Sequence, residues 1–292
     1  MLTTVDAFGR IGEENAFAVL ARATALAAEG RDIINLGIGQ PDFRTPEHIV
    51  EAAIKALKDG AHGYTPSVGI LPLREAVSRD LNRRYGVEVD PNLVMIVPGG
   101  KVTMYAAIRL FGEPGAEILY PDPGFPIYRS MIEHTGATPV PVPIREENGF
   151  AFSAEETLAL ITPRTRLLII NSPANAGIAA LDGPHEAVTA MVAEFDRRRA
   201  LVVEGLNALP GVSCATPRGA FYAFPNVSGT GWGSAKALAS ALLEEAGVAV
   251  IGGPDFGVHG EGYLRLSYAN SAENIRAALE RMDGFLRKRA AA

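Results

Sequence analysis

Residues 93–144 of this 292-residue chain decide the fold and read LVMIVPGGKVTMYAAIRLFGEPGAEILYPDPGFPIYRSMIEHTGATPVPVPI. Short apolar runs alternate here with segments of helical spacing, and glycines and prolines separate them. The predicted elements are, in order, a buried strand over Leu93–Val97, a turn at Gly99–Gly100, a helix over Val102–Phe111, a strand over Glu117–Tyr120, a helix over Ile127–Glu133 and a strand over Thr138–Ile144. Such alternation predicts an α/β fold with a mainly parallel sheet flanked by helices.

The chain on either side of this stretch suggests two domains. A strand over Leu167–Ile170 and a long helix from His185 to Asn207 continue the alternation. After Pro210–Gly211 the pattern changes to short strands and helices, which favours a mixed α+β unit. We therefore predict a large domain over residues 46–205 and a smaller α+β domain formed by residues 1–45 with 206–292.

Composition excludes several classes of protein. The chain has 33 acidic and 27 basic side chains, so its net charge of -6 repels nucleic acid and anionic lipid. No apolar run is long enough to span a membrane, and no secretory signal pattern opens the sequence. A single cysteine, Cys214, excludes an internal disulfide and fits a reducing compartment. We expect a soluble cytoplasmic protein without nucleic-acid or membrane partners.

Three local features have competing interpretations. Gly99-Gly100-Lys101 joins a predicted strand to a helix, where backbone N–H groups suit a phosphate, although glycines also serve tight turns for steric reasons alone. Strand alternation places Arg265 opposite Leu264 and Leu266, so its guanidinium could bind a carboxylate or form an ion pair between domains. The run of three arginines at 197–199 is predicted to be a solvated turn of the long helix.

No metal site is predicted, because the histidines are isolated from one another and show no ligand spacing. They are His48, His62, His134, His185 and His259.

Seven blocks of the sequence, taken in order, resemble the class I and II pyridoxal-phosphate aminotransferases of fold type I, and in particular their aspartate aminotransferase-like branch. They span nearly the whole chain and comprise Asn35–Phe43, Tyr64–Gly69, Pro98–Lys101, Tyr120–Tyr128, Asn171–Asn175, Pro217–Tyr222 and Leu264–Ala269. The resemblance implies a homodimer that uses pyridoxal 5'-phosphate to move an amino group between an amino acid and a 2-oxo acid.

The resemblance also implies roles for individual residues. The amides of Gly99, Gly100 and Lys101 would hold the cofactor phosphate, and Tyr64 would reach across a dimer interface to the phosphate of the partner's cofactor. For the substrate, Arg265 would bind the α-carboxylate with help from the Gly39 backbone, where a side chain would block approach. Two further residues would contact the cofactor ring and border the substrate, namely Phe125 by stacking and Asn175 by a hydrogen bond to the ring hydroxyl oxygen.

The sequence departs from the family after Asn175. The expected Asn-Pro-x-Gly turn is replaced by Ala176–Gly183, which resembles a family segment from much further along. By this resemblance a block is missing at this point, and in the family it carries the Asp at the pyridine nitrogen, a Tyr, a phosphate-binding Arg and the lysine that forms the Schiff base. The chain's five lysines, Lys55, Lys58, Lys101, Lys236 and Lys288, all lie outside such a motif.

This departure leads to two expectations. The shortened large domain is predicted to close by pairing Leu93–Val97 directly with Leu167–Ile170. With no catalytic residue assigned, the chain is expected to transaminate far below a family-like rate and to bind the cofactor more weakly. The alternatives are a longer protein with a segment omitted from this sequence, a non-catalytic relative that binds the cofactor or an amino acid, and a fragment that serves as an assembly partner.

Overall fold

The computed structural model describes residues 3–12, 15–171 and 186–290. Within these ranges no helix is long and apolar enough to cross a lipid bilayer. The helices are α1 Asn15–Ala28, α2 Glu47–Lys58, α3 Leu71–Tyr85, α4 Gly100–Phe111, α5 Ile127–Thr135, α6 Ala154–Ala159, α7 Glu186–Asn207, α8 Ala235–Ala246 and α9 Ala272–Ala290. The strands are β1 Ile34–Asn35, β2 Glu117–Asp122, β3 Thr138–Pro143, β4 Thr165–Leu168, β5 Tyr222–Ala223, β6 Val248–Ala249, β7 Ile251–Gly252 and β8 Leu264–Ser267.

The described residues divide into two compact units. The first unit takes its residues from Met1–Asp42, Ala107–Ala174 and Glu194–Ala292, and the second from Phe43–Ala106 and Asn175–Ala193.

A parallel three-stranded sheet in the first unit has the order β3-β2-β4. Its central strand β2 is buried at all six positions, as expected for a parallel strand covered on both faces. Helix α5 packs against β2 and β3. It ends at Gly136, which takes the left-handed conformation that glycine adopts without steric cost. The predicted α/β fold with a parallel sheet flanked by helices is therefore confirmed.

The rest of the first unit has mixed α+β structure. Strands β5, β8 and β7 form an antiparallel sheet in the order β5-β8-β7, and β1 pairs with β6 in parallel. Their apolar side chains share one core with helices α7, α8 and α9. As strand alternation predicts, Leu264 and Leu266 are fully buried in this core.

The strand predicted over Leu93–Val97 does not form, so that prediction was wrong. A 3-10 turn covers Pro91–Leu93 and an irregular segment follows, in which Leu93 is 81% exposed and Met95 is 64% exposed. Backbone bonds in this segment are those of a loop, such as Ile96 N–H to the carbonyl of Val68 at 3.1 Å. The apolar pattern resembled a buried strand, but a strand also needs a neighbour with which to exchange ladder hydrogen bonds.

The predicted pairing of Leu93–Val97 with Leu167–Ile170 was wrong for the same reason. Strand β4 pairs with β2, and in the described part of the chain it stands at the edge of its sheet. Ile170, just beyond β4, is 68% exposed.

A buried carboxylate begins strand β2. Glu117 accepts hydrogen bonds from the hydroxyl of Thr162 and from the guanidinium of Arg164. The Thr162 hydroxyl, and then Arg164, lower the pKa of the Glu117 carboxyl below its ordinary value, against the opposing effect of burial. The charged form of Glu117 therefore stabilises the start of the sheet.

We expect Glu117→Gln to lower the free energy of unfolding at neutral pH, because these charge-assisted hydrogen bonds are lost. Because the pKa of Glu117 is lower in the folded state, its ionised carboxylate stabilises the fold at pH values above the unfolded-state pKa. This stabilisation is lost as the pH falls through the folded-state pKa. The difference between wild type and variant should therefore shrink below about pH 4.3. Urea unfolding of both proteins at several pH values between neutral and about pH 3 measures this difference. The exposed Glu147→Gln is the control, and a difference that stays constant with pH would contradict the expectation.

Candidate functional site

The residues that sequence analysis assigned to the site fall in both units. Gly39, Phe125 and Arg265 belong to the first unit. Tyr64 and the Gly99-Gly100-Lys101 turn belong to the second unit. Asn175 lies outside the described residues.

Arg265 is held between two aromatic rings in the first unit. Its guanidinium carbon lies 4.5 Å from the ring centre of Tyr222 and 4.6 Å from that of Phe256. An Nη2–H group donates to the carbonyl oxygen of Gly37 at 2.6 Å. The two ring contacts restrict the orientation of the guanidinium, and a fixed orientation is what a two-pronged contact with a carboxylate requires.

Gly39 lies against the same tyrosine as Arg265. A Cβ atom at position 39 would overlap the Oη of Tyr222 and would come within 2.9 Å of Cε2 of Phe221. The glycine expected to admit a carboxylate thus also admits the Tyr222 ring. Tyr222 therefore lies next to both Gly39 and Arg265.

Phe125 follows strand β2 in a loop tied to the turn that carries Phe256. Gly124 N–H donates to the carbonyl of Phe256 at 2.6 Å. The Phe125 ring makes an edge contact with Tyr128, with ring centres 5.9 Å apart. Burial raises the pKa of Tyr128 and outweighs the lowering effect of its hydrogen bond with Asn171. The phenol beside Phe125 is therefore neutral at physiological pH.

A second buried carboxylate, Asp122, ends strand β2 just before this loop. It is 1% exposed and accepts backbone N–H bonds from Val258 at 3.2 Å and His259 at 2.9 Å. The Nδ1 atom of His259 is 3.0 Å from the same carboxylate. Burial raises the pKa of the neighbouring Tyr120 to about 12, and the charge of Asp122 adds to the effect. The Tyr120 phenol therefore keeps its proton near neutral pH.

The prediction that residues 197–199 form a solvated turn was wrong for Arg198. Its side chain is 7% exposed, and it donates to Asp42 and to Glu194, each at 2.7 Å. Its neighbour Arg197 is 78% exposed, as predicted. On a helix, Arg198 shares a face with Phe195 and Val202, three residues before and four after it, and that face packs inward. Arg198 therefore anchors the end of the segment that contains Gly37 and Gly39.

In the second unit, the predicted phosphate turn begins helix α4. Gly99 has a φ of +89°, a conformation that favours glycine, and Gly100 and Lys101 form the first turn of the helix. A Cβ at Gly99 or Gly100 would meet no heavy atom within 4 Å, so the turn has an open face. Backbone N–H groups at a helix start point beyond its end, where they can donate to an anion.

These residues fit part of the cofactor that the resemblance implies. The open α4 turn suits the phosphate, and Phe125 offers a ring for stacking. The lysines fit less well as a covalent anchor. Lys236 pairs with Asp255 at 2.5 Å, Lys101 starts α4, and the other three lie on α2 and near the end of α9. The residues present thus suit the phosphate and the ring, and they do not suit a covalent link.

Four residues of this site had no role in the sequence analysis. Tyr222 and Asp122 lie within blocks that carry the family resemblance, and Arg198 lies at helical spacing from the apolar residues of α7. These signals were present in the sequence. Phe256 had no such signal, because only the folded turn brings its ring to Arg265.

We expect Gly39→Ala to lower the free energy of unfolding by about 1–3 kcal/mol, because the added methyl group collides with Tyr222. Gly63→Ala is the matched control, since its Cβ would meet nothing within 4 Å. In a double-mutant cycle with Tyr222→Leu, measured by urea unfolding, the two effects should be coupled by about 0.5–3 kcal/mol. Strictly additive effects would refute the collision.

We expect Arg198→Met to lower the free energy of unfolding by roughly 2–3 kcal/mol, because two carboxylates lose a shared, buried partner. The neighbouring Arg197→Met should change it by no more than about 0.5 kcal/mol, since Arg197 is exposed. Chemical denaturation of both variants measures the contrast, and equal effects would contradict the anchoring role of Arg198.

Known proteins resemble this chain along most of its length. The family model described as aminotransferase class I and II matches residues 31–179 and 174–282. The aspartate aminotransferase of Pyrococcus horikoshii is 32% identical over 361 residues, covering 89% of this chain and 92% of the relative. The aspartate/prephenate aminotransferase of Cereibacter sphaeroides is 31% identical over 392 residues, covering 96% and 98%.

Solved structures agree in fold. The aspartate aminotransferase of Rhizobium meliloti superposes with a TM-score of 0.89 at 25% identity, covering 98% of this chain and 99% of that one. That of Thermus thermophilus, determined with maleate, gives 0.85 at 29% identity, covering 98% and 100%.

The alignments are longer than this chain. The alignment with the Pyrococcus enzyme spans 361 positions, 69 more than the 292 residues of this chain, so at least that many positions have no counterpart here. The two segments matched by the family model meet at residues 174–179. With matched segments covering well over half of the sequence, the chain belongs to the class I and II aminotransferase family.

Proposed function

We propose that this chain acts in the transfer of an amino group between an amino acid and a 2-oxo acid, with pyridoxal 5'-phosphate as cofactor. The observation that carries the proposal is the setting of Arg265, a guanidinium stacked between Tyr222 and Phe256 beside the Gly37–Gly39 backbone. In a member of this family, such a fixed guanidinium is suited to the α-carboxylate that all amino-acid substrates share.

Each part of the chain has a proposed task. Arg265 binds and orients the α-carboxylate, and the Gly39 backbone lies beside it. Gly99, Gly100 and Lys101 receive the cofactor phosphate, which the open turn at the start of α4 supports. Phe125 and Asn175 border the cofactor ring and the substrate. When bound, the cofactor supplies an electron sink for the α-carbon.

In the family a lysine transfers the proton, and this sequence has no lysine in the corresponding motif. A positioned acid–base group contributes typically 100-fold to 10,000-fold to a rate, so we propose that turnover is slow. The environments of the five lysines support this proposal, as does the excess of alignment positions over residues.

Assembly and location complete the proposal. We propose a homodimer, in which the fully exposed Tyr64 has the freedom to contact a partner. We propose the cytoplasm as the location, because a lone buried cysteine is suited to a reducing compartment.

We expect the purified chain with added cofactor to transfer amino groups from aspartate to 2-oxoglutarate at least about 100-fold more slowly than the Thermus thermophilus enzyme assayed in parallel. The physical reason is the missing proton-transfer lysine. Stopped-time product assays measure the rate, and an absorbance scan followed by borohydride treatment and peptide mass analysis detects any lysine bound to cofactor.

Two results would contradict parts of this proposal. A borohydride-trapped lysine together with a family-like rate would refute the impairment. Failure of the wild-type chain to bind maleate, or equal binding by Arg265→Lys, would refute the carboxylate site. We expect Arg265→Lys to weaken maleate about 10-fold to 100-fold, because an ammonium cannot reproduce a two-pronged contact.

A further inference from the structure

We propose that Asp122 is a positioning residue for Arg265, and that it acts through the turn formed by residues 256–259. The inference rests on the proposed carboxylate site at Arg265 and adds the device that holds this site in shape. Asp122 does not touch the ligand in this proposal.

The first step is the burial of Asp122. A carboxylate that is 1% exposed must be matched by donors, because a buried charge without partners is strongly destabilising. The donors come from one short segment, through the backbone N–H groups of Val258 and His259. The end of strand β2 therefore fixes the path of a turn that is more than 130 residues away in the chain.

The second step is the fit of this turn on the carboxylate. Gly257 has a φ of +138°, and a Cβ at this position would overlap the carboxylate of Asp122. The backbone thus approaches Asp122 more closely than any other residue type would allow. The contact between the turn and Asp122 therefore depends on the position of the backbone as well as on charge.

The third step runs from the turn to Arg265. Phe256 directly precedes Gly257, and its carbonyl accepts a hydrogen bond from Gly124, two residues after Asp122. The centre of the Phe256 ring lies 4.6 Å from the guanidinium carbon of Arg265. Strand β7 and strand β8, which bears Arg265, pair on either side of this turn. Asp122 and Gly124 thus hold both ends of the Phe256–His259 segment.

The turn has a separate anchor on its other side. Asp255 pairs with Lys236 at 2.5 Å and accepts a hydrogen bond from Asn15 at 2.6 Å. Loss of the Asp122 carboxylate should therefore leave the hairpin in place and loosen residues 257–259, which support Phe256 from its C-terminal side. The expected defect is in ligand affinity rather than in folding alone.

The test uses maleate as the ligand and calorimetric titration of the full chain. Asp122→Asn is nearly isosteric, but it removes the charge and places an amide N–H₂ group among N–H donors. We expect its maleate dissociation constant to rise at least about tenfold. Glu117→Gln is the matched control, because Glu117 is the buried carboxylate at the opposite end of β2. We expect it to lose stability and to keep wild-type affinity.

A second variant covers the case in which Asp122→Asn fails to fold. Phe256→Leu retains an apolar side chain at the turn and removes the ring that stacks on Arg265. It should also weaken maleate, whereas His259→Asn, which leaves both backbone donors in place, should bind within about twofold of wild type.

The outcomes separate the inference from the proposed function. Weaker binding by Asp122→Asn and Phe256→Leu, with wild-type binding by Glu117→Gln, supports the inference. Wild-type affinity in Asp122→Asn or in Phe256→Leu overturns it, and so does a loss in Glu117→Gln that matches the loss in Asp122→Asn. In each of these cases the Arg265→Lys result remains a valid test of the carboxylate site. If wild-type chain binds no maleate, the proposed function fails first.

Discussion

Strand β2 ends in a carboxylate that has almost no contact with water, and this constraint organises the first unit. The charge of Asp122 requires donors, and the backbone at 258 and 259 supplies them. Because Gly257 admits the close approach, the turn between β7 and β8 is held at the end of the parallel sheet. The same contact supports Phe256 beside Arg265, and the Gly124 N–H bond ties Phe256 to the loop of Phe125. A single buried charge thus links the parallel sheet to the antiparallel one.

The surroundings of Arg265 follow from this link and from a second one. Arg198 reaches from helix α7 to Asp42, at the end of the segment that supplies Gly37 and Gly39. Gly37 accepts a hydrogen bond from Arg265, and Gly39 gives room to Tyr222. Two buried charged groups, Asp122 and Arg198, therefore hold the segments that supply these contacts of Arg265. Both are tied to segments whose residues contact Arg265.

Sequence patterns predicted most of this fold because apolar spacing marks the buried faces of its helices and strands. Strand β2, helix α5 and helix α7 occur where apolar spacing placed them, and Leu264 and Leu266 point into the core as alternation requires. Residues 93–97 show the limit of such patterns. Their apolar run has the character of a buried strand, but a strand depends on a neighbour, and apolar spacing carries no information about which neighbour exists. Arg198 shows another limit. Its charge led to the prediction that it is solvent-exposed, but it lies on the inward-facing side of helix α7.

The sequence by itself determined the family and the α/β class and supplied the candidate residues, because these depend on residue identity and order. Only the tertiary structure decided that Tyr222 and Phe256 enclose Arg265, that Asp122 holds the turn beside it and that Arg198 is buried. The physical reason is that these contacts join residues distant in the chain, and their energies depend on burial and on distances that close only when the sheets pack.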